Sequence, residues 1–185
     1  VESPLHRQMA SALSAPLGFK NATNGSVAVA IDAIHVAAQP HKFPSISLDG
    51  QAMVVTTTGN PDTHLVLRGA NGGPNYNEAS VAAAAKALAE AQLPARLLVD
   101  CSHGNSSKDY RRQPEVADHI ARQIANGSQA IAGVLLESHL VEGRQDITRG
   151  REGLRHGQSV TDGCIGWDTT AGVLESLARA VRAKQ

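Results

Sequence analysis

Apolar residues along this chain come in two rhythms. Short, nearly unbroken runs, LGF at 17–19, HLVL at 64–67, LLVD at 97–100 and QAIAGVLL at 129–136, predict strands buried on both faces, the habit of parallel strands. Between them the spacing lengthens to three and four. Ser3-Pro4 resembles an N-cap with proline at the first helical position, and Leu5, Met9, Ala12 and Leu13 share a face of a helix ending near Ser14. Val27, Ile31, Ile34 and Ala38 mark an amphipathic helix closed by Pro40, and the alanine-rich residues 77–92 make a third. Val116, Ile120 and Ile124 predict a fourth, opened by Pro114 and ended by Asn126-Gly127, and Val173, Leu174, Leu177 and Val181 predict the inward face of a last one. The stretch KFPSISLDGQAMVVTTTG sets Asp49-Gly50 between two β-prone runs, a hairpin signal. Strand and helix thus alternate about five times, an α/β pattern, and no linker or charge run divides residues 1–185, which read as a single domain.

Composition removes several functions. Lysine plus arginine equals aspartate plus glutamate, 17 each, so no global field draws nucleic acid or an anionic membrane. Aromatic residues at 3% leave little for stacking bases. No apolar run approaches the ~18 residues of a membrane span, and the expected location is cytoplasmic. Cys101 and Cys164 fall outside any paired spacing, so they read as packing residues rather than a disulfide or zinc knuckle. A Cys101/His103 nucleophile is disfavoured, because residues two apart on a strand share a face.

The strand exits carry the chemistry. In parallel α/β folds the loops after the strands converge on one mouth. Reading each exit gives Lys20 after LGF, Arg68 after LVL, His103 after LLVDCS and Glu137 after GVLL, while Asp162 sits in SVTDGCIGW before the last helix. One imidazole and two carboxylates suit manganese, iron, cobalt or zinc. A nearby lysine and arginine make an anion site, the arginine gripping phosphate with two parallel hydrogen bonds. Each residue alone has an ordinary role: a loop histidine, a solvated lysine, a surface ion pair. Together they point to a metal enzyme acting on a phosphorylated or carboxylated small molecule. The competing reading is a non-catalytic module that binds a phosphorylated ligand where strand order reverses.

Taken together, GFKN, LRG, VDCSHGNSSKDYRRQP, LLESHLVEG and SVTDGCIGW closely resemble the class I 3-deoxy-D-arabino-heptulosonate 7-phosphate (DAHP) synthases, from about Glu2 to the end of the last helix. The resemblance implies a metal-dependent (β/α)8 barrel that condenses phosphoenolpyruvate with erythrose 4-phosphate and releases phosphate, the first step of the shikimate pathway to aromatic amino acids. It implies that His103, Glu137 and Asp162 are metal ligands, that Arg68 holds the phosphate of phosphoenolpyruvate, and that Lys20 holds its carboxylate end and shuttles a proton. Such a barrel typically takes ~250 residues. This chain is therefore expected to be its C-terminal portion, the last five βα units plus an inserted hairpin. Three N-terminal strands and a cysteine ligand, matched by neither Cys101 nor Cys164, are expected elsewhere, and the piece alone is expected to be inactive. In regulated members the hairpin helps bind an aromatic amino acid, which places Leu13, Ser14, Phe43, Ser45 and Val55 in an effector site. Ser45 points to phenylalanine, whereas AAQPH and HGNSSKDYRRQP look equally like tryptophan-sensitive members. A homo-oligomer is the family expectation.

Overall fold

The structure, a computed structural model, describes residues 3–184. Val1 and Glu2, where the resemblance begins, lie outside the described residues. The chain forms two compact units, one built from residues up to 22 and from 26–66, the other from 23–25 and from 67 onward.

In the first unit α1 (Pro4–Ser11) precedes β1 (Leu17–Lys20), α2 (Ala28–Ala37), the hairpin strands β2 (Lys42–Ile46) and β3 (Ala52–Thr56), and β4 (Thr63–Leu67), whose last residue belongs to the second unit. β1 and β4 pair in parallel, Leu17 opposite Thr63 and Lys20 opposite Val66, so the chain between them is the crossover that a parallel pair requires. Phe19, Leu65 and Val66 are buried, each contributing about 1.5–3 kcal/mol. Asn60, also buried, donates to Ala10 O and Ala15 O at 3.1 and 3.0 Å and accepts from Asp62 N at 3.0 Å, tying the turn before β4 to the residues around the end of α1. The hairpin forms as its turn residues require. Gly50 N donates to Ser47 O at 3.0 Å and Gly50 takes φ 78°, a left-handed position that glycine occupies without steric cost.

The second unit carries α3 (Glu78–Glu90), β5 (Leu97–Asp100), α4 (Gln113–Ala125), β6 (Ile131–Leu135), β7 (Val141–Arg144), β8 (Gln158–Ser159) and α5 (Trp167–Ala183). β5 and β6 are parallel, and β7 pairs in parallel with β8. Asn77 caps α3, its side chain accepting from Ser80 N at 2.8 Å. α4 ends at Asn126-Gly127, where Ser128 N reaches Gln123 O and Gly127 N reaches Ile124 O, both 3.0 Å, in a Schellman stop. α4 packs on α5. Among the described residues no helix is long and apolar enough to cross a membrane.

The α/β reading with parallel strands holds, and three details differ. The Leu5, Met9 and Leu13 face predicted for α1 is about half exposed, while Ala10 and Ser11 are buried instead. α1 packs on α2, which buries Ala30, Ala33, Ile34 and Ala37, while the large side chains of α1 itself stay outside. α1 also stops at Ser11 rather than Ser14. On α5, Val173 is buried, but Leu174 and Val181 are exposed by 54% and 48%, because the face toward α4 is completed by Ala180 and by Ser176, which donates to Asp118 at 3.1 Å. The short pair β7 and β8 has no apolar run of its own, since VEGR and QS are almost wholly polar.

Candidate metal and anion site

Four of the five predicted site residues meet in the second unit. Arg68, His103, Glu137 and Asp162 line one cavity of about 560 Å³, with Lys108, Tyr110 and Arg144 also on its wall. His103, Glu137 and Asp162 each offer one donor atom, and these atoms lie within 4.8 Å of one another. Donors on opposite sides of a zinc-sized cation are ~4.2 Å apart. The spacing therefore fits a divalent ion with little adjustment, and a nitrogen with two carboxylate oxygens is a donor set for a borderline or hard metal.

Each donor is positioned by buried hydrogen bonds. β5 ends on Asp100, which is 1% exposed, and its carboxylate accepts from Ser102 N at 2.9 Å, from Ser102 Oγ, and from His103 Nδ1 at 2.9 Å. Ser102 Oγ also lies 2.7 Å from His103 Nδ1. These contacts occupy Nδ1 and leave Nε2 as the nitrogen available to a metal, as in a carboxylate–histidine–metal arrangement. His103 itself takes φ 52°, in the left-handed region.

Glu137 follows β6 and is clamped by Gln113, a fully buried residue at the start of α4. Gln113 Nε2 donates to Glu137 O at 3.0 Å, and Gln113 Oε1 accepts from Glu137 N at 2.8 Å. The same carbonyl accepts from Ile165 N at 2.9 Å, while Cys164 and Gly143 exchange backbone hydrogen bonds of 3.1 and 2.8 Å. Asp162 is exposed, and these ties just after it bring it to Glu137.

Arg68 is set by glycine and asparagine. Gly69 has φ 78°, and a Cβ there would stand 2.4 Å from the Gly104 carbonyl carbon, so only glycine lets the two loops approach. Gly104 N donates to Arg68 O at 3.0 Å. Buried Asn105 joins three segments, donating to Leu67 O at 3.2 Å and Asp100 O at 2.8 Å and accepting from Asn75 N at 2.8 Å.

Cys101 is buried, and that burial, with Asp100 beside it, pushes its thiol up to about 12. Burial also raises Cys164. Neither is a nucleophile near neutral pH, in keeping with the packing role read for both.

The model of the DAHP synthetase I family matches residues 1–175. The chain belongs to that family. Among DAHP synthetase I relatives, a protein of Schizosaccharomyces pombe described as a putative phospho-2-dehydro-3-deoxyheptonate aldolase is 52% identical over 185 residues, 100% of this chain and 50% of that protein. The Tyr-sensitive phospho-2-dehydro-3-deoxyheptonate aldolase of Escherichia coli K12 is 49% identical over 176 residues, covering 95% of this chain and 49% of its own length. The structure of the phospho-2-dehydro-3-deoxyheptonate aldolase from Francisella tularensis SCHU S4 superposes with a TM-score of 0.92 at 44% identity, over 100% of this chain and 53% of that one. The chain thus spans about half the length of the relatives it matches.

The remaining predicted residues lie in the first unit. Lys20 closes β1 opposite Val66. Phe43 pairs with Val55 across the hairpin, and with Ser45 these three are the half-buried positions of one hairpin face. Leu13 and Ser14 follow α1, whose last residue, Ser11, sits 2.8 Å by its hydroxyl from that of Thr57 at the hairpin base. Asp100, Gln113 and Asn105 carry positioning roles that sequence reasoning did not assign. The available signal was a polar residue at the end of an apolar strand for Asp100, and one beside a helix-opening proline for Gln113.

Proposed function

We propose that the protein containing this chain is a DAHP synthase, condensing phosphoenolpyruvate with erythrose 4-phosphate and releasing phosphate at the cavity of the second unit. The observation that carries this reading is the convergence of His103, Glu137 and Asp162 within 4.8 Å beside Arg68 in one cavity. The parallel pairs are arcs of a (β/α)8 barrel, of which residues 1–185 form the C-terminal portion as one domain.

His103 Nε2, Glu137 and Asp162 would hold a divalent ion, manganese, iron, cobalt or zinc. When bound it supplies Lewis acidity toward the aldehyde oxygen of erythrose 4-phosphate. Arg68 binds the phosphate of phosphoenolpyruvate, and Lys20 binds its carboxylate end and exchanges a proton with the reacting groups. C3 of phosphoenolpyruvate attacks the aldehyde carbon, water adds at C2, and the C2–O bond to phosphate then breaks with its electron pair leaving on oxygen. The Arg68 guanidinium offsets the charge gathered on that phosphate.

The names of several relatives, Tyr-sensitive among them, support an aromatic amino acid effector here. Leu13, Ser14, Phe43, Ser45 and Val55 form its site. The protein works in the cytoplasm as a homo-oligomer. Full-length protein should carry stoichiometric divalent metal and form DAHP, and His103→Ala and Glu137→Ala should lose both. Tight anion binding with no metal and no turnover would replace this reading with the ligand-binding module.

A further inference from the structure

Beside the cavity just described lies a second one of about 370 Å³, also within the second unit, and Arg68 and Lys108 stand in the walls of both. The two differ in charge. The first sets Glu137 and Asp162 against its cations, whereas no carboxylate lines the second among the described residues. A small concave site with two cations and no acid concentrates anions. The nearby loop backbone is already engaged: Gly69 N donates to Asn75 Oδ1 at 2.7 Å, Asn71 N to Thr23 O at 2.8 Å, and Ala70 and Gly73 bond each other. Attraction for an anion there rests on the two side chains.

Lys108 is held at a conformational cost. Ser107 and Lys108 are successive non-glycine residues with φ 55° and 63°, each disfavoured for an L-residue. Lys108 N closes the turn on His103 O at 2.7 Å, so one tight loop carries a metal-site donor at one end and an ammonium at the other. No ion pair engages the Lys108 ammonium among the described residues. Strain of this kind persists where surrounding structure enforces it, commonly at functional sites.

We propose that the second cavity is an orthophosphate site in which Lys108 and Arg68 hold the anion released by the reaction. The inference rests on the function proposed above. Arg68 faces the substrate cavity and the second one alike, so phosphate freed at C2 moves across a shared cationic wall without first entering open solvent. No bond forms or breaks in this transfer.

The test is calorimetric titration of purified, metal-loaded full-length protein with inorganic phosphate and, separately, with phosphoenolpyruvate, for the parent, Lys108→Met and Lys108→Arg. Loss of a charge-assisted contact should weaken orthophosphate binding about tenfold in Lys108→Met, and Lys108→Arg should restore it. Phosphoenolpyruvate affinity should fall clearly less than orthophosphate affinity does, and metal content should be unchanged. Equal orthophosphate affinity in parent and Lys108→Met overturns the proposal. An equal fall for both ligands overturns it too, by placing Lys108 in the phosphoenolpyruvate site, as does loss of metal in both variants, which would make Lys108 a support for the His103 turn. If the parent binds orthophosphate through Lys108 but forms no DAHP, the anion site stands and the catalytic reading alone falls.

Discussion

Asp100→Asn isolates the orientation of His103 from its presence. The carboxylate is buried and receives His103 Nδ1 at 2.9 Å together with both donors of Ser102. An asparagine of the same shape keeps one acceptor oxygen for Ser102 and turns an NH₂ toward Nδ1. The imidazole then carries its proton on Nε2, the nitrogen that must be bare to bind a metal. Removing such a supporting carboxylate typically weakens metal affinity 10–100-fold, which is about 1.4–2.8 kcal/mol. Folding should suffer less, since the Ser102 donors remain met and the neutral amide needs less solvation. Competition with a chelator of known affinity measures the first quantity, and urea unfolding of the metal-free protein the second. Metal affinity within twofold of the parent, in a variant of unchanged stability, would refute the claim that Asp100 selects the ligating nitrogen.

Other substitutions probe the remaining supports. Gln113→Leu removes both bonds to the Glu137 backbone and leaves Glu137 N without its partner, so stability should fall by about 1–3 kcal/mol in urea, with weaker metal binding. Gly69→Ala combines a left-handed φ with a Cβ pressed on the Gly104 backbone, which cannot swing away, and should cost about 2–4 kcal/mol by thermal or urea unfolding. Cys101 predicts an alkaline effect. Its thiol rises from 9.0 to about 12 on folding, so the protonated form is the one the fold prefers. That stability is complete below pH 9 and is lost as pH climbs toward 12, reaching about 4 kcal/mol. Cys101→Ala should lack this component of the urea midpoint, and parallel pH profiles for parent and variant would contradict it.

The parts legible in the sequence were those written in short-range pattern. Apolar runs place the strands, and the polar residue at each exit names Arg68, His103 and Glu137. Asp162 was legible as a chemical type, but its approach to Glu137 depends on Ile165 and Cys164 bonding to partners more than 20 positions earlier. Gln113 and Asn105 were missed for the same reason, since they act on Glu137 and on Leu67 and Asn75. Helix faces misled where alanine decides the packing. On α1 and α5 the buried stripe is made partly of Ala10 and Ala180, which carry little hydrophobic signal next to an exposed Leu5 or Leu174. Residue roles came from motif resemblance, because periodicity does not distinguish a ligand from a loop histidine.

The hairpin of the first unit is, mechanically, a lever. Its two five-residue strands make an arm about 17 Å long. The fulcrum is Thr57, which exchanges two hydrogen bonds with His41, Oγ1 accepting from His41 N at 2.8 Å and N donating to His41 O at 2.9 Å, and meets Ser11 through the same hydroxyl. A tilt of about 5° at that point moves the tip near Leu48 by about 1.5 Å over an arm of this length. Were the arm to pivot at Thr57 as a rigid body, a shift at Phe43, near the base, would reach the tip enlarged.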